Sequence, residues 1–243
     1  MRAFSNRELM LNHQIPASSE AFDARRAIVA GLRERLRDIP ASPIDWPSFD
    51  PARALRASTA DLQLANLARL LCSAPARISE LRALWKESVI TAAFALELGP
   101  RLGGEAATSA MAGLLHRLGD MLTLRAIAQS EHASLLRLDA ASKADLCAVH
   151  GTEQAERVLR AWGVPARAAA TAVEWRRLRE FPAAAADAAA VYLARLFAIE
   201  TISPEFCAPG VVDLAIEELG LDPASLSALR SDATITRLLV SLQ

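Results

Sequence analysis

Glycine and tyrosine are scarce in this chain, with 10 glycines and one tyrosine among 243 residues. Alternating runs of Val, Ile, Thr or Tyr are nearly missing as well, which argues against a sheet-rich fold with many tight turns. The three cysteines, Cys72, Cys147 and Cys207, lie far apart with no CxxC spacing. That excludes a zinc ribbon or a disulfide framework as the organising feature, and buried thiols in a reducing cytoplasm are expected instead. Neither sign of charge dominates: 27 basic and 28 acidic side chains give a formal net charge of −1. No global field therefore attracts nucleic acid or an anionic membrane surface. No apolar run approaches the roughly 18 residues of a membrane span. The opening MRAFSNRELMLNHQIP lacks the apolar stretch of a secretory signal. Neither a Gly-rich phosphate loop nor a GxSxG nucleophile elbow occurs. The expectation is a soluble cytoplasmic protein with neither nucleic acid nor membrane as partner.

Alanine, leucine and arginine fill the chain instead. Hydrophobic residues make up 52% and charged residues 23%, ample for a packed core. Ser18-Ser19-Glu20 can start a helix in which Phe22, Ile28, Val29, Leu32 and Leu36 recur at helical spacing, ending before Pro40. PASPIDWPSFDP, 40–51, reads as an extended connector whose Trp46 and Phe49 pack onto the body. Ser58 or Thr59 can cap a helix to about residue 73, and Ser79 another to about 98. GPRLGG, 99–104, breaks the chain before a helix resumes near Glu105, and Gly119 interrupts its apolar pattern. Segments 127–137 and 141–163 follow, with Gly163 and Pro165 as a stop and restart. ARAAATAVEWRRLREF closes at Pro182 and AAAADAAAVYLARLFAIE near Pro204. The tail reads as three short helices, one opened by Asp222-Pro223. Such lengths on short connections predict a compact all-α fold. Residues 1–50 would form an N-terminal helix and connector packed on the body, and residues 51–243 the main helical domain, one structural unit overall.

The chemical question sits in AGLLHRLGDMLTLRAI, 112–127, where an apolar run holds a lone histidine followed by Arg117, Gly119 and Asp120. On its own, His116 reads as a hydrogen-bonded core histidine sooner than as a ligand. His150 precedes Gly151 at an expected helix start, where packing, capping and ligation are all open. His13 and His132 have no companions at ligand spacing and are expected to face solvent. EWRRLRE, 174–180, reads as a solvated helix face anchored by Trp175, with a partner surface as the alternative because Arg and Trp are enriched at binding hot spots. LRERLRD, 32–38, is explained by charge pairs three or four residues apart.

From about residue 81 onward, four stretches in order carry a resemblance: LWKESVITAAFALELG, AGLLHRLGDMLTL, VHGTEQAERVLRAWGVP and AAAVYLARLFA. Together with the closing AIEELGLDPASL they resemble the HDOD family, the non-catalytic relatives of HD-type metal-dependent phosphohydrolases. The N-terminal helical part then looks shortened or diverged. In the catalytic relatives the histidine of the second stretch is followed by a metal-binding aspartate; here His116 is followed by Arg117, and Asp120 stands where a lysine is usual. By the same resemblance Glu87 stands at an earlier ligand histidine, Glu174-Trp175-Arg176 at a later histidine cluster, and Arg195 at a distal aspartate. His150 matches another family histidine.

Arginine has five donors, no acceptor and a permanent charge. Two like unit charges 4 Å apart repel by about 4 kcal/mol at an effective dielectric near 20. Arg117 and Arg195 would therefore set fixed positive charge where a cation should sit. Three readings of Glu87, His116, Arg117, Asp120, His150, Glu174, Arg176 and Arg195 stand: an ion-pair network filling a vacated cavity, a pocket for an anionic small ligand such as phosphate or a nucleotide, and a residual metal site. The resemblance implies a catalytically inactive module without cofactor, acting in bacterial signal transduction through a protein partner, with a homodimer as one form of contact.

Overall fold

The computed structural model describes residues 26–57 apart from 27 and 33, then 61–135, 137–177, 186–230 and 233–241. Every regular element among them is helical, as the poverty in strand formers requires. Apart from short 3₁₀ turns, the elements after residue 50 are α1 (Pro51–Ala57), α2 (Leu62–Leu71), α3 (Ile78–Arg101), α4 (Ala106–Leu115), α5 (Leu118–Ser134) and α6 (Ala140–Ala161). They continue with α7 (Ala166–Glu174), α8 (Ala186–Ile202), α9 (Val211–Glu218), α10 (Pro223–Arg230) and α11 (Ala233–Ser241). The expected start at Ser18-Ser19-Glu20, Phe22, His13, the Ser58/Thr59 cap and the Pro182 stop lie outside the described residues.

The helix starts show the capping chemistry directly. Asp61 accepts from the Leu64 amide at the head of α2, and Asp139 from the Ser142 amide at the head of α6. The expected extended connector is shorter than 40–51. It ends in a 3₁₀ turn (Trp46–Ser48), and α1 then opens on Pro51, with Asp50 accepting from the Arg53 amide. This is the same Asp-Pro start that opens α10 at Asp222-Pro223, where Asp222 accepts from the Ala224 amide. GPRLGG breaks the chain later than expected: α3 runs through Gly99 and Pro100 to Arg101, and Gly103, at φ 82°, makes the turn. In the last turn Pro100 forfeits only its own amide bond.

The long helix α3 is the spine of the core. It packs against α4 and α8 along faces rich in alanine, with Ala92, Ala93, Ala95, Ala190 and Ala194 all buried. Small side chains let these helices approach closely. At Gly113 an added Cβ would lie 3.0 Å from the Ala92 Cα. Gly119, expected to interrupt a helix, instead sits in the first turn of α5 where it crosses α6; a Cβ there would lie 1.8 Å from the Gly151 carbonyl oxygen. Helix α5 therefore spans Leu118–Ser134 as one element, not a segment beginning near 127.

The described residues before α1 are tied to the body. Ile28, Leu32 and Leu36 pack with Ala126, Ile127, Leu138 and Leu146 in a second apolar cluster. Trp46 stacks on Trp162 at 6.4 Å between ring centroids and meets Phe49 edge-on, while the Trp162 indole donates to the Pro40 carbonyl. Two buried carboxylates staple the frame. Glu131 accepts from the Arg77 guanidinium and from the Leu138 amide. Asp187, in the first turn of α8, accepts from the Glu105 amide and Ser109 hydroxyl and pairs with Arg167 at 2.6 Å. No described helix is long and apolar enough to cross a membrane.

Candidate functional site

Five stretches of chain converge at one end of the α4–α5 junction. His116 follows the last residue of α4, Arg117 precedes α5, and Asp120 lies in the first turn of α5, where the helix dipole favours a carboxylate. Glu87 comes from the middle of α3 and Arg195 from the middle of α8, brought together by the close alanine packing of those two helices. Trp175 and Arg176 belong to the 3₁₀ turn (Trp175–Arg177) that follows α7.

The junction is held by His116 and Trp175. The His116 Nδ1 lies 2.6 Å from the Gly113 carbonyl, which can only accept, so the proton sits on Nδ1. The Trp175 indole donates to the His116 carbonyl, and the two rings meet edge-to-face at 5.1 Å. The remaining His116 nitrogen, Nε2, is buried without a hydrogen bond, 3.5 Å from Glu87 Oε1. Burial pushes the His116 pKa down despite Glu87 beside it, which favours the neutral ring.

Around this ring lies a chain of ion pairs. Arg195 Nε donates to Glu87 Oε1 at 2.8 Å, and Arg117 Nε lies 3.8 Å from the same oxygen. Arg117 Nη1 reaches Asp120 Oδ2 at 2.8 Å, and Arg176 Nη2 donates to that oxygen at 2.5 Å. Arg176 and Arg195 both place their guanidinium carbons over the Trp175 ring, at 5.3 and 5.1 Å from its centroid. Burial alone would raise the Glu87 carboxyl; His116, Arg117 and Arg195 outweigh it and bring its pKa down to about 2. Glu87 is thus a fixed anion between fixed cations.

Glu87, His116, Arg117, Asp120, Arg176 and Arg195 are therefore brought together. Two other residues are not. Glu174, expected opposite the arginines, is exposed and lines a groove of about 390 Å³ with Glu156 and Arg160 on the far side of α7. Trp175 continues the inward face set by Ala168, Thr171 and Ala172 at helical spacing, and Glu174 falls with Arg167 and Ala170 on the exposed face. His150 is half-buried in the middle of α6, not at a helix start, and takes no part in the cluster. Asp120 does what Glu174 was expected to do, accepting two arginines. His132 is exposed. Among the described residues, no three His, Cys, Asp or Glu side chains are grouped as a cation would need. The shared Trp175 platform was missed beforehand; its signal was a tryptophan directly before an arginine. The three thiols, expected to be buried, are half-buried, and that of Cys147 approaches the Asp120 carbonyl at 3.9 Å; burial, with Asp120 adding, pushes its pKa up to about 12.

The family model for the HDOD domain matches residues 60–176. Those residues are an HDOD domain. Glu87, His116, Arg117, Asp120 and Arg176 fall inside the HDOD match, and α8 supplies Arg195 from beyond its end. No curated protein and no solved structure matches the chain.

Proposed function

We propose that this HDOD protein is a non-catalytic regulatory module that acts in signal transduction through contacts with another protein. The observation that carries the non-catalytic part is the convergence of Arg117 and Arg195 on the single oxygen Glu87 Oε1, beside His116 Nε2. A hydrolytic cation needs converging imidazole and carboxylate donors with open positions for water and substrate. Here the best-placed carboxylates are already engaged by guanidiniums, and an incoming cation would meet permanent positive charge at contact range. Membership of the HDOD family supports the signalling role and the protein partner; a second copy of the chain is one such partner, since two-fold oligomers are common.

The test is turnover. Purified protein is incubated with Mg²⁺, Mn²⁺, Fe²⁺ or Zn²⁺ and a panel of cyclic dinucleotides and nucleoside phosphates, with His116→Ala as control. The expected result is no hydrolysis above buffer. Hydrolysis that requires metal and disappears in His116→Ala would overturn the proposal. Sedimentation of the same preparation reads self-association directly.

A further inference from the structure

The charges of the cluster do not balance. Arg117, Arg176 and Arg195 meet two carboxylates among the described residues, Glu87 and Asp120. The buried carboxylates elsewhere are closed differently. Glu131 takes Arg77 at 2.7 Å and Arg137 at 3.8 Å, Asp187 takes Arg167 at 2.6 Å, and both complete their shells with backbone amides, from Leu138 and Glu105. Among the described residues one positive charge is left over at the cluster, and a neutral His116 does not cancel it.

Donors are left over too. Arg195 uses only Nε, Arg176 only Nη2, and Arg117 pairs through Nη1 with Nε at long range. That leaves both terminal nitrogens of Arg195, Nη2 of Arg117, and Nε and Nη1 of Arg176 without a partner among the described residues. The three side chains are 21%, 33% and 24% exposed for Arg117, Arg176 and Arg195, so a solute can reach them. They are also mutual neighbours. Arg117 and Arg195 share Glu87 Oε1, Arg117 and Arg176 share Asp120 Oδ2, and Arg176 and Arg195 share the Trp175 ring. The fully buried His116 Nε2 is an acceptor once the proton sits on Nδ1 and adds no donor to the group, so the guanidiniums alone would hold an anion.

We propose that the Arg117, Arg176 and Arg195 cluster is a binding site for the phosphate group of a small molecule. The site is the one assigned a non-catalytic role above, and the proposal rests on that reading. Phosphate is favoured over a carboxylate because its oxygens, arranged tetrahedrally, can bridge donors from three separate elements, whereas a carboxylate offers two oxygens in one plane. The Trp175 face and the two anions hold the guanidiniums in place before the ligand arrives.

Thermal shift and ³¹P line broadening test this on the full chain. Sodium phosphate, sodium acetate and sodium chloride are compared at equal ionic strength, with adenosine monophosphate and adenosine as further arms. A millimolar site filled with 10 mM phosphate raises Tm by about 3 °C over chloride and broadens the phosphate ³¹P line, while acetate gives a smaller shift. A larger shift with adenosine monophosphate than with phosphate, and none with adenosine, identifies a nucleotide as the source; equal shifts identify free phosphate. Arg176→Gln, at the exposed edge, keeps the Arg117–Asp120 pair and loses the shift and the broadening. Arg195→Lys keeps the charge but loses the planar fork and weakens both. Equal shifts in phosphate and chloride, or broadening unchanged in both variants, would overturn the proposal. Binding without hydrolysis leaves the non-catalytic reading intact, whereas binding followed by metal-dependent hydrolysis overturns that reading alone.

Discussion

Replacing Glu87 with glutamine removes one negative charge and almost no volume, so the change isolates electrostatics. The Glu87 carboxyl is held at about 2 against an ordinary 4.5. A difference of that size is linked to roughly 3 kcal/mol of folding stability at neutral pH. The side chain is 16% exposed, so solvent screens little of it. The sign is fixed by the direction: a depressed carboxyl stabilises the fold above pH 4.5, and the contribution is lost as pH falls towards 2. Glutamine keeps an oxygen for Arg195 Nε but leaves two guanidiniums facing a neutral group. Urea unfolding followed by circular dichroism should show Glu87→Gln destabilised by about 2–3 kcal/mol at pH 7, or about 4–12 °C in Tm. The gap between wild type and variant should shrink by on the order of 2 kcal/mol at pH 3. Burial depresses the His116 pKa and Glu87 holds it up, so the variant gains acid sensitivity below 6.5 that offsets part of this narrowing. A gap under about 0.5 kcal/mol at pH 7, or one of constant size from pH 7 to pH 3, would refute the reasoning.

Gly119→Ala places a Cβ 1.8 Å from the Gly151 carbonyl oxygen, so backbone must move. A loss of more than about 3 kcal/mol is expected, read as a collapse in Tm or soluble yield. Asp187→Ala strips the Glu105 amide, the Ser109 hydroxyl and Arg167 of their acceptor; unfolding should show a loss of about 3–5 kcal/mol. Cys147, with its thiol pKa near 12, should react with a disulfide reagent at pH 8 about 10²–10³-fold more slowly than a free thiol, measured by mass spectrometry of labelled peptides. Trp46→Ala removes the partner of Trp162 and Phe49 and should cost about 3–5 kcal/mol.

How much of this was legible in the sequence depends on what each feature needs. Helical class followed from missing strand formers and from the spacing of apolar residues. The Asp222-Pro223 start was legible because it is local, and the same signal at Asp50-Pro51 was there to be read but was absorbed into a connector. Pro100 misled because a proline in a last helical turn costs one bond, and the closing turn comes only at Gly103. In the site, Arg117 and Asp120 are three apart on one chain segment, so their pairing could be read from spacing. Glu87 and Arg195, 108 positions apart, could be paired only through the family pattern. Glu174 was misplaced by following the family pattern over the local period, since Ala168, Thr171, Ala172 and Trp175 mark the inward face at helical spacing and leave Glu174 outside. The Gly119–Gly151 crossing was invisible because close approach of two backbones is a property of two distant segments at once.

Crystals grown or soaked in millimolar Mn²⁺ and measured for anomalous scattering test the central claim most directly. The account predicts no manganese peak among His116, Glu87 and Asp120, with Arg117 and Arg195 still on Glu87. An ordered manganese ion bound through His116 Nε2 and either carboxylate, with the guanidiniums displaced, would contradict it.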